Sequence, residues 1–500
     1  MSDLISGFLV FLIALPLCLG IAKASGFPPI SGVLTAVVGG LITGLFSNSE
    51  LTIKGPAAGM IAIVIGAMMD FGFTQGTSVG ADMQAYRLVL AVGVAAGVIQ
   101  ILFGLFRAGS LGEFFPLAPV HGLLASIGLI IIAKQFHPMF GVASPKGGPI
   151  ASYLAIPATL AAADMKVASI GIVSLGLLFY YPMLKKLLPA LAKVPAQLVV
   201  VLTAIVMGQL FDLPGTQLIS LPAQIQDAIV LPDFSQVFGS TSIKWIVMFA
   251  LVGTLESMLS AKAIDLLDPW KRKTNLNRDV LGVGVANTAV AAIGGLPMIS
   301  EILRSSANIS YGGRTRLANV FHGAFLLLSI LLLAPLVKLI PIAALGAMLV
   351  FAGFRLASPK EFVHMWKAGK GQFLVFCLTI AFILPEGHLL DGIGVGMLAE
   401  FILNLLGGAS PATTFKPDVK VEQTGSTVVC EVSRSLTFSN WVPFRRKIDK
   451  LGSVESLTID LSHTNLVDRT ARDKLIDLRR EFAGEGRTLT IAGLDLAPAH

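Results

Sequence analysis

Charge is what this sequence is short of. Only 13% of its 500 residues are Asp, Glu, Lys or Arg, 54% are hydrophobic, and the mean hydropathy is +0.79. Soluble domains carry about a quarter charged residues, so most of this chain belongs in lipid. Cysteine is scarce as well. Cys18, Cys377 and Cys430 stand far apart and match no metal-ligand or redox spacing, which leaves them as small packed residues. No nucleotide motif occurs, because Gly392-Ile393-Gly394-Val395-Gly396 lies inside an apolar stretch and fits close helix packing, not phosphate binding. His121, His137, His364 and His388 have no partner spacing for a metal and read as polar residues at helix ends or near loops. With no nucleophile–base set, a membrane enzyme has no support. Met1-Ser2-Asp3 lacks a basic n-region and a cleavage site, so no signal peptide is expected and the first apolar stretch reads as a permanent span. The net charge of +7 reads as basic cytoplasmic loops, not as a nucleic-acid surface.

Apolar stretches of membrane-spanning character run from residue 4 to about residue 407. Spans are predicted near Leu4–Ala22, Ile30–Phe46, Pro56–Phe71, Leu88–Phe106, Ala118–Ile132, Val167–Met183 and Ala196–Phe211. A second set follows at Ile243–Ser260, Val280–Ile293, Ile302–Ser310, Asn319–Ile340, Ala343–Phe354, Gln372–Leu384 and Leu389–Leu406. That is about fourteen, several of them shorter than the roughly twenty residues a straight crossing needs, as half-helices are. With the N-terminus inside, the cytoplasmic connections hold Lys185, Lys186 and Lys193, Lys271 through Arg278, and Arg355 through Lys370; the outside connection from Asp212 to Thr241 has no Lys or Arg. This is the positive-inside pattern, and an even number of spans returns the C-terminus to the cytoplasm.

Two Gly/Pro-broken stretches interrupt this apolar chain: Lys54-Gly55-Pro56-Ala57-Ala58-Gly59, and Gly295-Leu296-Pro297 running on to Arg304-Ser305-Ser306. Each reads as the start of a short helix, third in its half of a seven-plus-seven arrangement. The order and the breakage are those of an inverted repeat, although no residue-level similarity links the halves. A broken helix presents free N–H groups carrying about half a positive charge at its start, so two facing starts form an anion site with few charged side chains. The pattern implies a transporter of anions.

After Gly407-Gly408-Ala409-Ser410-Pro411 the composition changes. Val419–Val432, Ser456–Leu461 and Thr488–Ala492 are predicted strands. Trp441–Leu451 and Arg469–Phe482 have helical spacing and many charges. The expected fold class is therefore an all-α polytopic membrane domain over 1–408 and a small cytoplasmic α/β domain over 409–500.

An ordered set of motifs resembles the sulfate permease family of anion transporters with its C-terminal STAS domain. The set begins with Ala14-Leu15-Pro16 and Ala22, Ser25-Gly26-Phe27-Pro28-Pro29, and Gly55-Pro56-Ala57. It continues through Gly253-Thr254-Leu255-Glu256-Ser257, Ala261-Lys262-Ala263, Val285-Ala286-Asn287 and Gly294-Gly295-Leu296-Pro297. Arg304-Ser305-Ser306-Ala307-Asn308, Gly312-Gly313-Arg314-Thr315, Ile340-Pro341-Ile342 and Gly353-Phe354-Arg355-Leu356 complete it. The resemblance implies fourteen spans split into core and gate bundles, a homodimer, and a bacterial inner membrane location. The run Phe11 to Gly20 is similar to bacterial members associated with bicarbonate uptake. Leu17 and Leu303 stand where many members carry hydrogen-bonding side chains, so selectivity is not carried over. Leu457 to Ser462, followed by Val467-Asp468-Arg469-Thr470-Ala471, resembles the STAS strand–loop–helix core. Thr470 matches a phosphorylatable position of stand-alone relatives and is a regulatory candidate, although a helix N-cap role is favoured.

The candidate anion-binding residues are Gly55, Pro56, Ala57, Ala58, Leu303, Arg304 and Ser305. Arg304 would add a planar guanidinium suited to oxyanions, set against a snorkelling role. Glu256, an ionisable group in an apolar span, with Ser260 one turn on, would coordinate Na⁺ or carry a proton; a salt bridge to Lys262 or a helix-holding role competes. Lys54 reads either as raising the local potential or as an interfacial lysine. No cofactor is expected and no metal beyond Na⁺ at Glu256. The expected partners are an inorganic anion, bicarbonate or sulfate, the membrane lipid and a second copy of the chain. Two functions follow: cation-coupled uptake by alternating access, or an anion sensor signalling through the C-terminal domain.

Overall fold

The computed structural model describes residues 1–107, 114–188, 191, 194–222, 225–385, 387, 389–424, 427–452, 454–484 and 486–494. His388 and Lys193 lie outside the described residues. Two compact units are present. The first comprises Met1–Gly109, Ile127–Ala357 and Leu384–Gly387; the second comprises Ser110–Ser126, Ser358–Ile383 and His388–His500.

In the first unit, α1 (Ser2–Ala24) and α2 (Pro29–Phe46) are joined by a tight turn. Gly26 at φ +79° reverses the chain and Pro29 opens the second helix, where a missing N–H costs nothing. Strand β1 (Ile53–Gly55) and a 3-10 turn (Ala58–Met60) lead into α3 (Ile61–Asp70). Next come α4 (Val79–Leu105), α5 (Leu117–Met139), the short α6 (Pro149–Leu154) and α7 (Ile156–Ala161), α8 (Met165–Leu187) and α9 (Ala196–Leu210). The unit continues with α10 (Ser240–Leu267), α11 (Leu276–Ala291), strand β2 (Ile299–Glu301), α12 (Ile302–Ser310), α13 (Leu317–Val337) and α14 (Ile342–Leu356). Ser78, Asp164 and Asn275 cap α4, α8 and α11 by accepting first-turn N–H groups, as short polar side chains do. Small residues set the closest crossings. A Cβ added at Gly97 of α4 would lie 3.0 Å from the Gly284 carbonyl of α11, and one at Gly40 of α2 would lie 2.7 Å from Gly323 Cα of α13. Backbones approach this closely only where side chains are absent.

The second unit holds the first part of α5, α15 (Pro359–Ala368), α16 (Lys370–Ile383), α17 (Leu389–Leu406) and the C-terminal α/β domain. That domain contains β3 (Asp418–Thr424), β4 (Thr427–Leu436), α18 (Phe438–Asp449), β5 (Ser456–Asp460), β6 (Thr464–Val467), α19 (Arg469–Gly484) and β7 (Thr488–Ala492). Its sheet runs β3-β4-β5-β7, with β6 also on β4; only the β3–β4 pair is antiparallel. Val428, Cys430 and Val432 of β4 and Leu457 and Ile459 of β5 pack against Trp441 and Phe444 of α18 and Leu475, Leu478 and Phe482 of α19.

Every predicted span coincides with a helix, and among the described residues eight helices are long and apolar enough to cross a membrane. The differences are local. The predicted strand Val419–Val432 is two strands, with Thr424 opposite Thr427. Strand β6 and helices α6, α7 and α15 were not predicted. α15 alternates charged and apolar residues with helical period, a pattern that mimics a polar loop when only apolar runs are sought.

Candidate functional site

Both predicted breaks are real, and each is preceded by a strand. β1 and β2 pair antiparallel, with Ile53 opposite Glu301, Lys54 opposite Ser300 and Gly55 opposite Ile299. The chain leaves β1 at Gly55 toward α3 and leaves β2 at Glu301 toward α12, so the two helix starts sit at opposite ends of a three-residue ribbon, about 7 Å apart at 3.3 Å per residue.

Extended backbone at membrane depth must have its polar groups satisfied from within the protein, and buried hydroxyl and amide side chains do this here. Ser305 Oγ accepts from Ile53 N–H at 2.8 Å and Asn319 Oδ1 accepts from Lys54 N–H at 3.1 Å. Ser257 Oγ accepts from Ser300 N–H at 3.0 Å, and Asn308 Nδ2 donates to the Leu51 carbonyl at 2.9 Å. Upstream of β2, Asn287 accepts from Met298 N–H and donates to the Met298 carbonyl, while Thr35 Oγ1 accepts from Leu296 N–H.

Arg304 is fully buried. Its Nη2 donates to the Pro56 carbonyl at the start of the opposite broken helix, while Nε and Nη1 have no hydrogen-bond partner. Gly55 is where the guanidinium passes, since a Cβ there would collide with Nη1. Two unpartnered donors on a buried cation are costly, and donors of this kind are what an oxyanion can take up. Snorkelling is ruled out by the burial. Ser305 serves the ribbon, also donating to the Glu301 carbonyl at 2.6 Å. Ala57 is buried and Ala58 half-buried at the first turn. Leu303, with Ile13 and Leu17 of α1, Gln197 of α9 and Met348 and Arg355 of α14, lines a cleft of about 150 Å³.

Sequence reasoning missed Glu301. It N-caps α12, its Oε2 accepting Arg304 N–H at 2.7 Å and lying 3.8 Å from Arg304 Nε. Lys54 is not interfacial. It is fully buried, pairs with Asp279 Oδ1 of α11 at 2.7 Å and also donates to Ser300 Oγ. Asp279, a lone acid in the first turn of an apolar span, was the signal for this pair.

Glu256 on α10 is buried and its Oε1 has no hydrogen-bond partner, whereas Lys262 on the same helix is exposed. A Cβ added at Gly59 would lie 2.8 Å from Glu256 Cδ and closer still to both oxygens, so the first broken helix abuts the carboxylate. Ser260 is buried one turn on. A buried carboxylate oxygen without a partner suits a proton or a hard cation.

Thr470 belongs to the second unit. It is fully buried, and its hydroxyl accepts from Leu117 N–H at 3.3 Å. Asp468, not Thr470, caps α19, accepting from Ala471 N–H at 2.7 Å and also from Phe438 N–H and Asn404 Nδ2. Phosphorylation of Thr470 therefore requires the Leu117 and α19 segments to part. Of the histidines, His137 is buried within the first unit between Thr159 Oγ1 and the Ser152 carbonyl, and His121 meets Glu361 at 3.0 Å beside His364. His322 of α13, not singled out from sequence, is buried with both ring nitrogens unpartnered.

Comparison with known proteins bears on this geometry. The sulfate permease family profile matches residues 1–379. A putative sulfate transporter of Bacillus subtilis, YvdB, is 28% identical over 80% of this chain and 73% of its own length. The bicarbonate transporter BicA of Picosynechococcus is 23% identical over 98% of this chain and 88% of its own. Among solved structures, the murine anion transporter Solute Carrier 26 family member A9 aligns with a TM-score of 0.70 at 16% identity, covering 99% of this chain and 85% of that one.

Proposed function

This chain belongs to the sulfate permease family, and from that premise we propose that it is a secondary transporter of a small inorganic anion, bicarbonate or sulfate, coupled to Na⁺ or H⁺ and working by alternating access. The observation that carries the reading is the buried Arg304 guanidinium with two unpartnered nitrogens between two broken-helix starts. The oxyanion is held by Arg304 between the starts of the two broken helices, with the N–H groups of Ala57 and Ala58 on the first of them. Glu256 and Ser260 hold the coupling cation one step away, so each ion's charge offsets the other's in a low-dielectric site. Leu17 and Leu303, apolar where they meet the cleft, favour an anion of low hydration, and this together with the likeness to BicA puts bicarbonate first.

The chain is a multi-pass membrane protein, and we place it in a bacterial inner membrane as a homodimer with both termini cytoplasmic. Residues 1–408 form the transport domain. Residues 409–500 form a STAS domain that assembles or regulates it, with Thr470 buried at its contact with Leu117.

The test is uptake of labelled bicarbonate and sulfate into proteoliposomes, with and without Na⁺ or pH gradients, for wild type, Glu256→Gln and Arg304→Lys. Gradient-driven uptake abolished in Glu256→Gln, and a KM raised at least tenfold in Arg304→Lys for loss of the planar fork, is the expected result. Binding without uptake in the wild type would defeat the transport reading.

A further inference from the structure

The α12 N-terminus, where the substrate is expected to dock, is covered by a carboxylate of the chain itself. Glu301 Oε2 accepts Arg304 N–H at 2.7 Å yet stays 3.8 Å from Arg304 Nε, leaving Nε and Nη1 unpartnered. An acid at this position interacts favourably with the helix dipole and with the guanidinium charge. These are the same two attractions on which an oxyanion would rely. Glu301 is 14% exposed, whereas Arg304 is 1% exposed.

We infer that Glu301 is a tethered competitor of the substrate, displaced from the α12 terminus and Arg304 when the oxyanion binds, and that the displaced carboxylate is what calls in the coupling cation. This rests on the anion-transport reading above. The charge balance is simple. Glu301 and Arg304 together are neutral. A monovalent anion brings one negative charge, and one proton or Na⁺ taken by the Glu256–Glu301 pair returns the site to the charge it carried before either ion bound. Ser300 N–H donates to Ser257 Oγ at 3.0 Å, which joins the chain positions next to Glu301 and Glu256, so the cation is shared by two acids once Glu301 has left Arg304. Coupling then arises because each ion binds weakly without the other.

The groups around Glu301 limit the alternatives. Arg304 lies 3.8 Å away on its own helix, and Glu256 of α10 and Cys18 of α1 are within electrostatic reach. The Lys54–Asp279 pair is one residue back through Ser300, and His322 of α13 lies within reach of the Arg304 charge.

Glu301→Gln separates charge from capping, because the amide oxygen still accepts Arg304 N–H. With full-length protein in proteoliposomes, labelled sulfate and labelled bicarbonate as probes, the expected result is a KM lower by about tenfold, as when a competing state is removed. That KM should also no longer fall when Na⁺ is added or pH lowered. Glu301→Asp, which keeps the charge, should retain the cation dependence. An unchanged or higher KM in Glu301→Gln with an unaltered thermal transition overturns the inference while leaving transport intact. If Glu301→Gln does not fold, the wild type decides: anion affinity independent of both Na⁺ and pH, read by equilibrium binding, overturns it equally. Wild-type protein that neither binds nor moves either anion overturns both readings.

Discussion

Lys54 Nζ and Asp279 Oδ1 lie 2.7 Å apart with both side chains shut off from solvent, so a strand of one broken segment is locked by charge to the first turn of α11. A buried pair is costly to break, because the survivor is an unpaired charge in a low-dielectric interior.

Lys54→Met or Asp279→Asn alone is therefore expected to destabilise the protein by about 3–5 kcal/mol, while an apolar replacement of both is much milder. Thermal unfolding of the purified protein in detergent checks this. Singles that melt with the wild type would mean the pair contributes nothing. Because neither group faces the proposed anion position, the double variant should still bind anion.

Gly59 gives a second test. A methyl group there would press on Glu256 Cδ from 2.8 Å, so Gly59→Ala should abolish cation-dependent uptake. Overpacking of this kind costs about 1–3 kcal/mol, which the fold can absorb. Anion affinity measured without a gradient should change little. Equal loss of anion binding would show that Gly59 serves the anion and not the cation.

Leu303 lines the cleft beside Leu17 and adjoins Arg304 in sequence. Leu303→Ser supplies a hydroxyl worth about 1 kcal/mol when it meets a partner. The expected outcome is a roughly fivefold shift of the sulfate-to-bicarbonate uptake ratio toward sulfate. A ratio unmoved in a folded variant would place the selectivity elsewhere.

Cys430, at the centre of the C-terminal sheet, is buried and its thiol is pushed up to about 11 by that burial. At pH 8 its thiolate fraction falls from about a quarter for an ordinary thiol to about 0.1%. Alkylation should be slower by roughly two hundredfold than for an unfolded control, rising as pH approaches 11 and not near 8.5. Site-resolved mass spectrometry distinguishes it from Cys18 and Cys377. Fast labelling at pH 8 would mean the domain opens.

The helices were legible because lipid imposes a simple rule on length and apolarity, and Ile302–Ser310 was found to the residue. The two broken segments were legible from Gly55-Pro56 and Gly295-Leu296-Pro297, since such residues rarely interrupt a span without cause. The ribbon between them was not. Three-residue strands show no alternation to detect, and their partners, Asn319, Ser305 and Ser257, come from distant sequence. Lys54 was misread for the same reason: a lone charge has no meaning until its counter-charge, 225 residues on, is known. Glu301 looked like one more residue before a short helix, since glutamate is not among the residues that usually cap one. Thr470 was given the capping role because hydroxyls cap well, but Asp468 two residues earlier holds it.

The β1–β2 ribbon also governs the order in which the protein comes into being. Ile53 waits for Ser305, which is 252 residues further along. At roughly 5–20 residues per second, synthesis leaves the first broken segment without its partner for about 12–50 seconds. Over that interval its backbone N–H and C=O groups face a bilayer with nothing to bond them. The nascent first half must therefore hold this segment at the aqueous surface or in the shelter of the insertion machinery. The binding site closes only when the second half arrives, so the chain is under assembly pressure before it has any function to lose.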